Sequence, residues 1–187
     1  MKLTADMIRE VGREVVKRDQ ALFEYLTAER FNTQESYDLF ISHSYRDKEF
    51  IGGLRQIFKD AGYTVYVDWI DDSDLDRSNV TVETAKRVKS RIRGCNGLAY
   101  IATANTTLSK WCPWELGISD GIHGRASILP VMSGDFDGQE YLGIYPYLDY
   151  AKSNAGKNEF WVHSSEDKRQ YVVLKDWLKG KAPFFHH

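Results

Sequence analysis

Four short apolar runs divide this chain: YDLFISH (37–43), YTVYVDW (63–69), NGLAYIA (96–102) and ASILPVM (126–132). Each is bounded by polar or glycine residues and is too short for a helix, the mark of a strand buried on both faces. Amphipathic stretches lie between them. In RDKEFIGGLRQIFKDAG (46–62), Phe50, Ile51, Leu54, Ile57 and Phe58 recur at helical steps until Gly62 ends the pattern. VTVETAKRVKSRIRGC (80–95) puts Val82, Ala85, Val88 and Ile92 on one side, and another helix runs from SKWCPWELG (109–117) to about His123 and Gly124. Strands alternating with helices fold as a parallel sheet with helices on both faces. A fifth strand is expected at EFWVHS (159–164), then a last helix over Tyr171, Val172, Leu174, Trp177 and Leu178. With right-handed crossovers, these five strands give an α/β, flavodoxin-like doubly wound sheet of order 2-1-3-4-5.

Ahead of this pattern, Leu3, Met7, Ile8, Val11, Val15, Leu22, Phe23 and Leu26 space an extra N-terminal helix across residues 3–30, followed by the linker FNTQES (31–36). The expected division is therefore helix and linker at 1–34 and the main domain at 35–187. Ile8, Val15 and Leu22 also fall seven apart, a spacing that suits either pairing with another helix or packing on the same domain. Residues 133–158, rich in glycine and tyrosine, read as irregular.

Composition narrows the partners. Hydrophobic residues make up 42% of the 187 and charged residues 28%, as in ordinary globular proteins. A net charge of −2 argues against nucleic acid as the main partner. No apolar run approaches the ~20 residues of a membrane span, and charge throughout residues 1–30 is unlike a signal peptide. Cys95 and Cys112 lack metal-ligand spacing and suit a reducing compartment, so a cytoplasmic protein without a metal is expected. Lys86, Arg87, Lys89, Arg91 and Arg93 read as the solvated face of a helix rather than a basic patch.

The topology localises function. Ligands of open sheets sit beyond the carboxyl ends of the strands where strand order reverses, here between the first and third strands. The loops converging there are SHSYRD (42–47) and the segment carrying Trp111 and Glu115. Glu115 has two readings. In one, Cys112 is a helix N-cap, Pro113 the first helical residue and Glu115 a third-position capping partner, with Trp111 stapled on Leu116. In the other, Glu115 is an ionised carboxylate beside an indole surface, fit to bind ribose hydroxyls or to stabilise a sugar ring turning cationic. Cysteine is a poor cap. Most glycosidases need two carboxylates, but nicotinamide leaves NAD+ as a neutral molecule, so one glutamate suffices for that substrate.

YDLFISHSYRDKEF, then YTVYVDW, SKWCPWELG and ASILPV, together resemble the Toll/interleukin-1 receptor (TIR) domain in its bacterial, NAD-consuming immune-signalling (Thoeris-like) form, over roughly Tyr37 to Met132. The resemblance implies a flavodoxin-like fold and cleavage of the nicotinamide–ribose bond of NAD+, a substrate and not a cofactor. The product would be a linear, cyclic or conjugated ADP-ribose that signals to a separate effector protein in anti-phage defence. By position, Glu115 matches the catalytic glutamate and Trp111 the aromatic four residues before it. His43, Ser44 and Tyr45 match the loop contacting the nicotinamide side, with Arg46 near the phosphates. Asp68 and Trp69 begin a loop the family uses for self-association and closure of the site.

This chain departs from the family in an acidic second-strand loop, with Asp71, Asp72, Asp74 and Asp76, and in lacking the arginine pair some relatives carry after the first strand. His43 suits either a proton shuttle or a residue that ends the strand and hydrogen-bonds locally. Ser44 and Asp47 resemble a helix cap, and Cys112 reads as a packing thiol. His186 and His187 receive no function. Two other readings stay open: a non-catalytic TIR adaptor, and a nucleoside deoxyribosyltransferase-like enzyme.

Overall fold

The computed structural model describes residues 3–18, 36–72, 81–131 and 140–186. Its parallel strands are β1 (Tyr37–Ser42), β2 (Val65–Tyr66), β3 (Cys95–Ala102), β4 (Ala126–Pro130) and β5 (Tyr147–Lys152). They stand in the order β2-β1-β3-β4-β5, so the order reverses between β1 and β3 as expected. Register is set by hydrophobic matching: Leu39 pairs Gly97 and Val65, Phe40 pairs Leu98 and Tyr66, and Ser42 pairs Tyr100.

The helices are α1 (Ala5–Arg18), α2 (Lys48–Asp60), α3 (Asp68–Asp71), α4 (Val82–Arg93), α5 (Trp111–His123) and α6 (Leu174–Trp177). Period-two side chains of the strands feed two cores, one on each face of the sheet. Ala99 and Ile101 join Leu39, Ile41, Ile51, Leu54 and Phe58 beneath α1 and α2. Leu98 and Tyr100 join Phe40, Tyr66, Val88, Ile92 and Leu116 beneath α4 and α5. Local signals place the ends of these helices. Thr81 Oγ1 accepts from Thr84 N at 3.1 Å to cap α4, and Gly124, at φ +59°, lets its N–H return to Asp120 O at the end of α5.

Helix α1 packs on α2. Ile8 is fully buried, and a Cβ on Gly53 would stand 2.3 Å from Ile8 O and 2.9 Å from Gly12 N, so the two backbones meet at a pair of glycines. Of the two readings of the seven-residue spacing, Ile8 takes packing on the same domain. Leu22, Phe23, Leu26, nearly all of the linker (31–35), Asp74 and Asp76 lie outside the described residues.

The sequence expectation needs correction at the C-terminal end. The fifth parallel strand is Tyr147–Lys152, inside the stretch read as irregular, and the sheet continues antiparallel through β6 (Asn158–His163), β7 (Gln170–Val173) and β8 (Phe184–Phe185). The run read as strand five is thus β6, the return arm of a hairpin turned at Gly156, whose φ is +77°. Tyr171 and Val172 belong to β7, and α6 is a single turn. The β-branched pair Val172–Val173 finds partners in Val162 and Trp161, and that pairing overrides a helical apolar spacing. Phe58 and Phe160 stack at 4.0 Å between centroids and anchor β6 on α2. Among the described residues, no helix is long and apolar enough to cross a membrane.

Candidate active site

The end of β1 is the centre of the candidate site. Ser42 and Glu115 are both fully buried, and Ser42 Oγ donates to Glu115 Oε2 at 2.6 Å. Sequence reasoning missed Ser42; the available signal was a small polar residue closing the apolar run Leu39-Phe40-Ile41. The helix that carries Glu115 starts two residues earlier than the capping reading requires. Trp111 is its first residue, Lys110 its cap position, and Cys112 N donates to Ser109 Oγ at 3.3 Å. Cys112 is therefore inside the helix, Pro113 is its third residue, where a missing N–H still costs nothing, and Glu115 lies one turn in. From there its carboxylate reaches across to β1.

His43, next in the chain, reaches the opposite face of the sheet. It is buried, and its Nδ1 lies 2.9 Å from Ile41 O. A carbonyl only accepts, so Nδ1 donates, and the ring directs Nε2 to Asp68 Oδ1 at 3.6 Å. Asp68 is the first residue of α3, where the sequence suggested a loop.

The loop after β1 is fixed to the loop after β3. Ser44 Oγ accepts from Arg46 N at 3.4 Å and caps the turn Tyr45–Asp47. Asp47 accepts from Thr103 Oγ1 at 2.7 Å and from the Asn105 amide. The two loops therefore meet at the switch point. Tyr45 is exposed, with Lys48 Nζ 3.6 Å from its ring centroid and 5.4 Å from that of Trp69. Among the described residues, the buried Trp69 Nε1 has no hydrogen-bond partner. Arg46 points to solvent. On α5, Trp111 sits one turn from Glu115 and packs edge-on against Trp114 at 5.3 Å.

Two aspartates of the acidic loop are structural. Asp72 holds Arg91 in a bidentate pair, at 2.8 Å from Oδ2 to Nε and 2.7 Å from Oδ1 to Nη2, and accepts from Tyr66 OH at 2.8 Å. Burial alone would raise its pKa, but the Arg91 and Tyr66 hydrogen bonds hold it below the usual carboxylate range. Asp71 accepts from Val67 N at 2.7 Å and Arg55 Nη2 at 3.0 Å, and burial pushes its carboxyl upward against the pull of Arg55. Arg91 thus departs from the solvated basic face that the sequence suggested, whereas Lys89 is exposed, its Nζ 5.8 Å from the Trp114 ring centroid.

The structure brings Glu115, Trp111 and Ser42 together on the α5 side of the sheet, and His43 with Asp68 on the α2 side. Tyr45 and Trp69 meet through Lys48, and Arg46 stands apart. Glu115 has no solvent exposure, so a dinucleotide reaches its carboxylate only after the atoms covering it move. A concavity of about 730 Å³ lies at the amino ends of the strands, lined by Asp38, Tyr63, Asn96 and Trp161 among others. It is remote from Glu115 and, by the topology of open sheets, at the wrong end for the switch-point chemistry.

The family model of the TIR domain matches residues 39–162. The chain belongs to the TIR-domain family. The chain is 44% identical over 156 residues to "Probable 3' cyclic ADP-D-ribose synthase ThsB'" of Bacillus cereus (strain MSX-D12), a match covering 80% of this chain and 79% of that protein. A candidate "cyclic ADP-D-ribose synthase TIR2" of Cytobacillus dafuensis is 32% identical over 99 residues, covering 52% of this chain and 26% of its own length. Among solved structures, the TIR domain of the Toll-related receptor TRR-2 of Hydra magnipapillata aligns with a TM-score of 0.46 and 19% identity, over 60% of this chain and 82% of that one.

Proposed function

We propose that this TIR protein cleaves the nicotinamide–ribose bond of NAD+ and releases nicotinamide and a cyclic ADP-ribose signal. The observation that carries the reading is the extended identity to a protein named as a 3′ cyclic ADP-D-ribose synthase, which includes the strand and helix that hold Glu115. The chemistry is consistent with the site. As the glycosidic C–N bond breaks, its electron pair neutralises the nicotinamide ring nitrogen, and positive charge develops on the ribose ring. Glu115 stabilises that charge. A hydroxyl oxygen of the same molecule, or of water for a linear product, then bonds to the anomeric carbon and gives up its proton. Trp111 supplies an aromatic wall. Tyr45, Arg46 and Trp69 form the substrate-binding rim, with Ser44 and the buried His43–Asp68 pair beneath it.

In this reading residues 1–34 are an accessory helix and linker on a TIR unit at 35–187. The protein acts in the cytoplasm in anti-phage defence, self-associates through TIR surfaces and reaches a separate effector through the nucleotide product. Mass spectrometry of the products from NAD+, with Glu115→Gln as control, is the test. Wild type should yield nicotinamide and a nucleotide one water lighter than ADP-ribose, and the variant at most about a hundredth of that rate. Equal traces from the two proteins would refute the assignment.

A further inference from the structure

We propose that Ser42 is a positioning residue for Glu115, its hydroxyl fixing the carboxylate and keeping it ionised. The role rests on the reading of Glu115 as the essential carboxylate. Both side chains are fully buried, and an anionic carboxylate removed from water is tolerated only where donors replace the lost hydration. At 2.6 Å, the contact has the length of a charge-assisted O–H···O⁻ bond. It joins residues 73 apart in the chain, so it is a tertiary feature and not a helix cap. The platform is rigid. Ser42 is in register with Tyr100 on the neighbouring strand, and Cys112 and Leu116, flanking Glu115 on α5, are buried in the core on that side. The strand's three preceding residues, Leu39, Phe40 and Ile41, are all buried and apolar. A hydroxyl among them is out of keeping with packing and in keeping with a carboxylate that must not rotate.

A donor on Oε2 favours the charged form of the carboxylate and limits its rotation. Its loss should slow the step in which ribose becomes cationic, while substrate affinity, set by the rim, changes little. For Ser42→Ala, kcat should fall roughly 10- to 100-fold with KM for NAD+ within about threefold of wild type. The acid limb of the kcat–pH profile should move up, a displacement that simple loosening of the fold would not produce. Ser42→Thr, which keeps the hydroxyl, should recover most of the rate and the wild-type limb. Ser42→Cys, a weak donor, serves as the second deletion variant should Ser42→Ala fail to fold. A wild-type kcat and limb in Ser42→Ala, or in Ser42→Cys in its place, overturn the proposal, as does a Ser42→Thr protein that folds but is as slow as the deletion. Glu115→Gln separates the two readings. Full turnover by it defeats the Glu115 assignment and the Ser42 role together, whereas an inactive Glu115→Gln beside an unaffected Ser42→Ala defeats the Ser42 role alone.

Discussion

Ser42 and His43 are adjacent in the chain, yet their side chains engage carboxylates on opposite faces of the sheet, Ser42 with Glu115 at 2.6 Å and His43 with Asp68 at 3.6 Å. The alternation of a strand imposes this division. One dipeptide at the end of β1 thereby ties the helix after β3 and the helix after β2 to the same edge of the sheet. Substitutions around that edge should separate effects on the fold from effects on turnover.

The α1–α2 crossing gives a matched pair of variants. Gly53→Ala should lower stability by about 1–3 kcal/mol, because the new methyl group meets the backbone of Ile8 and Gly12, which cannot yield as a side chain would. Gly52→Ala, with nothing within 4 Å of the added methyl, should raise stability by about 0.5–1 kcal/mol through helix propensity. Urea denaturation of the two variants reads the difference. Equal effects would mean that α1 does not dock through Gly53.

Asp72 and Arg91 should matter at neutral pH and not in acid. The folded pKa of Asp72 lies below its unfolded value, so its contribution is present above the unfolded aspartate range near pH 4 and is lost as pH falls through the folded pKa. Arg91→Ala should cost about 1–2 kcal/mol at pH 7, a figure discounted for its partly exposed guanidinium. The gap in unfolding free energy between wild type and Asp72→Asn should stay constant above about pH 5 and narrow below about pH 4. A gap that widened in acid would contradict the pairing.

The tie between the two site loops predicts a binding defect. Asp47→Ala removes the acceptor for Thr103 and Asn105. KM for NAD+ should rise several-fold, with kcat within about threefold, because the loop loosens while the Ser42–Glu115 contact stays. Steady-state kinetics with a chromatographic nicotinamide readout decides it, and an unchanged KM would exclude the loop from substrate binding.

Cys95 should be inert in the native protein. It is buried beneath α4, and burial pushes its thiol up to about 12. Iodoacetamide at pH 8 should leave Cys95 unmodified until denaturant is added, as peptide mass mapping would show.

The alternation of buried strands and amphipathic helices made the parallel half of this fold legible from residues alone, since strand length and helical period are local properties. The same spacing put the loops after β1 and β3 at one edge and marked Glu115, Trp111 and His43 as worth attention. Distant partners were not legible. Tyr147–Lys152 became a strand because β4 and β6 flank it, and Tyr171–Val173 because β6 offered ladder partners. Asp71 and Asp72 read only as part of an acidic loop, and their partners Arg55 and Arg91 come from two helices distant in the chain. Glu115 read locally as a cap, and only the packing of α5 on the end of β1 turned it toward Ser42. A sequence fixes the periodicity of its own backbone, whereas the partner of a buried polar group is chosen by how the elements pack.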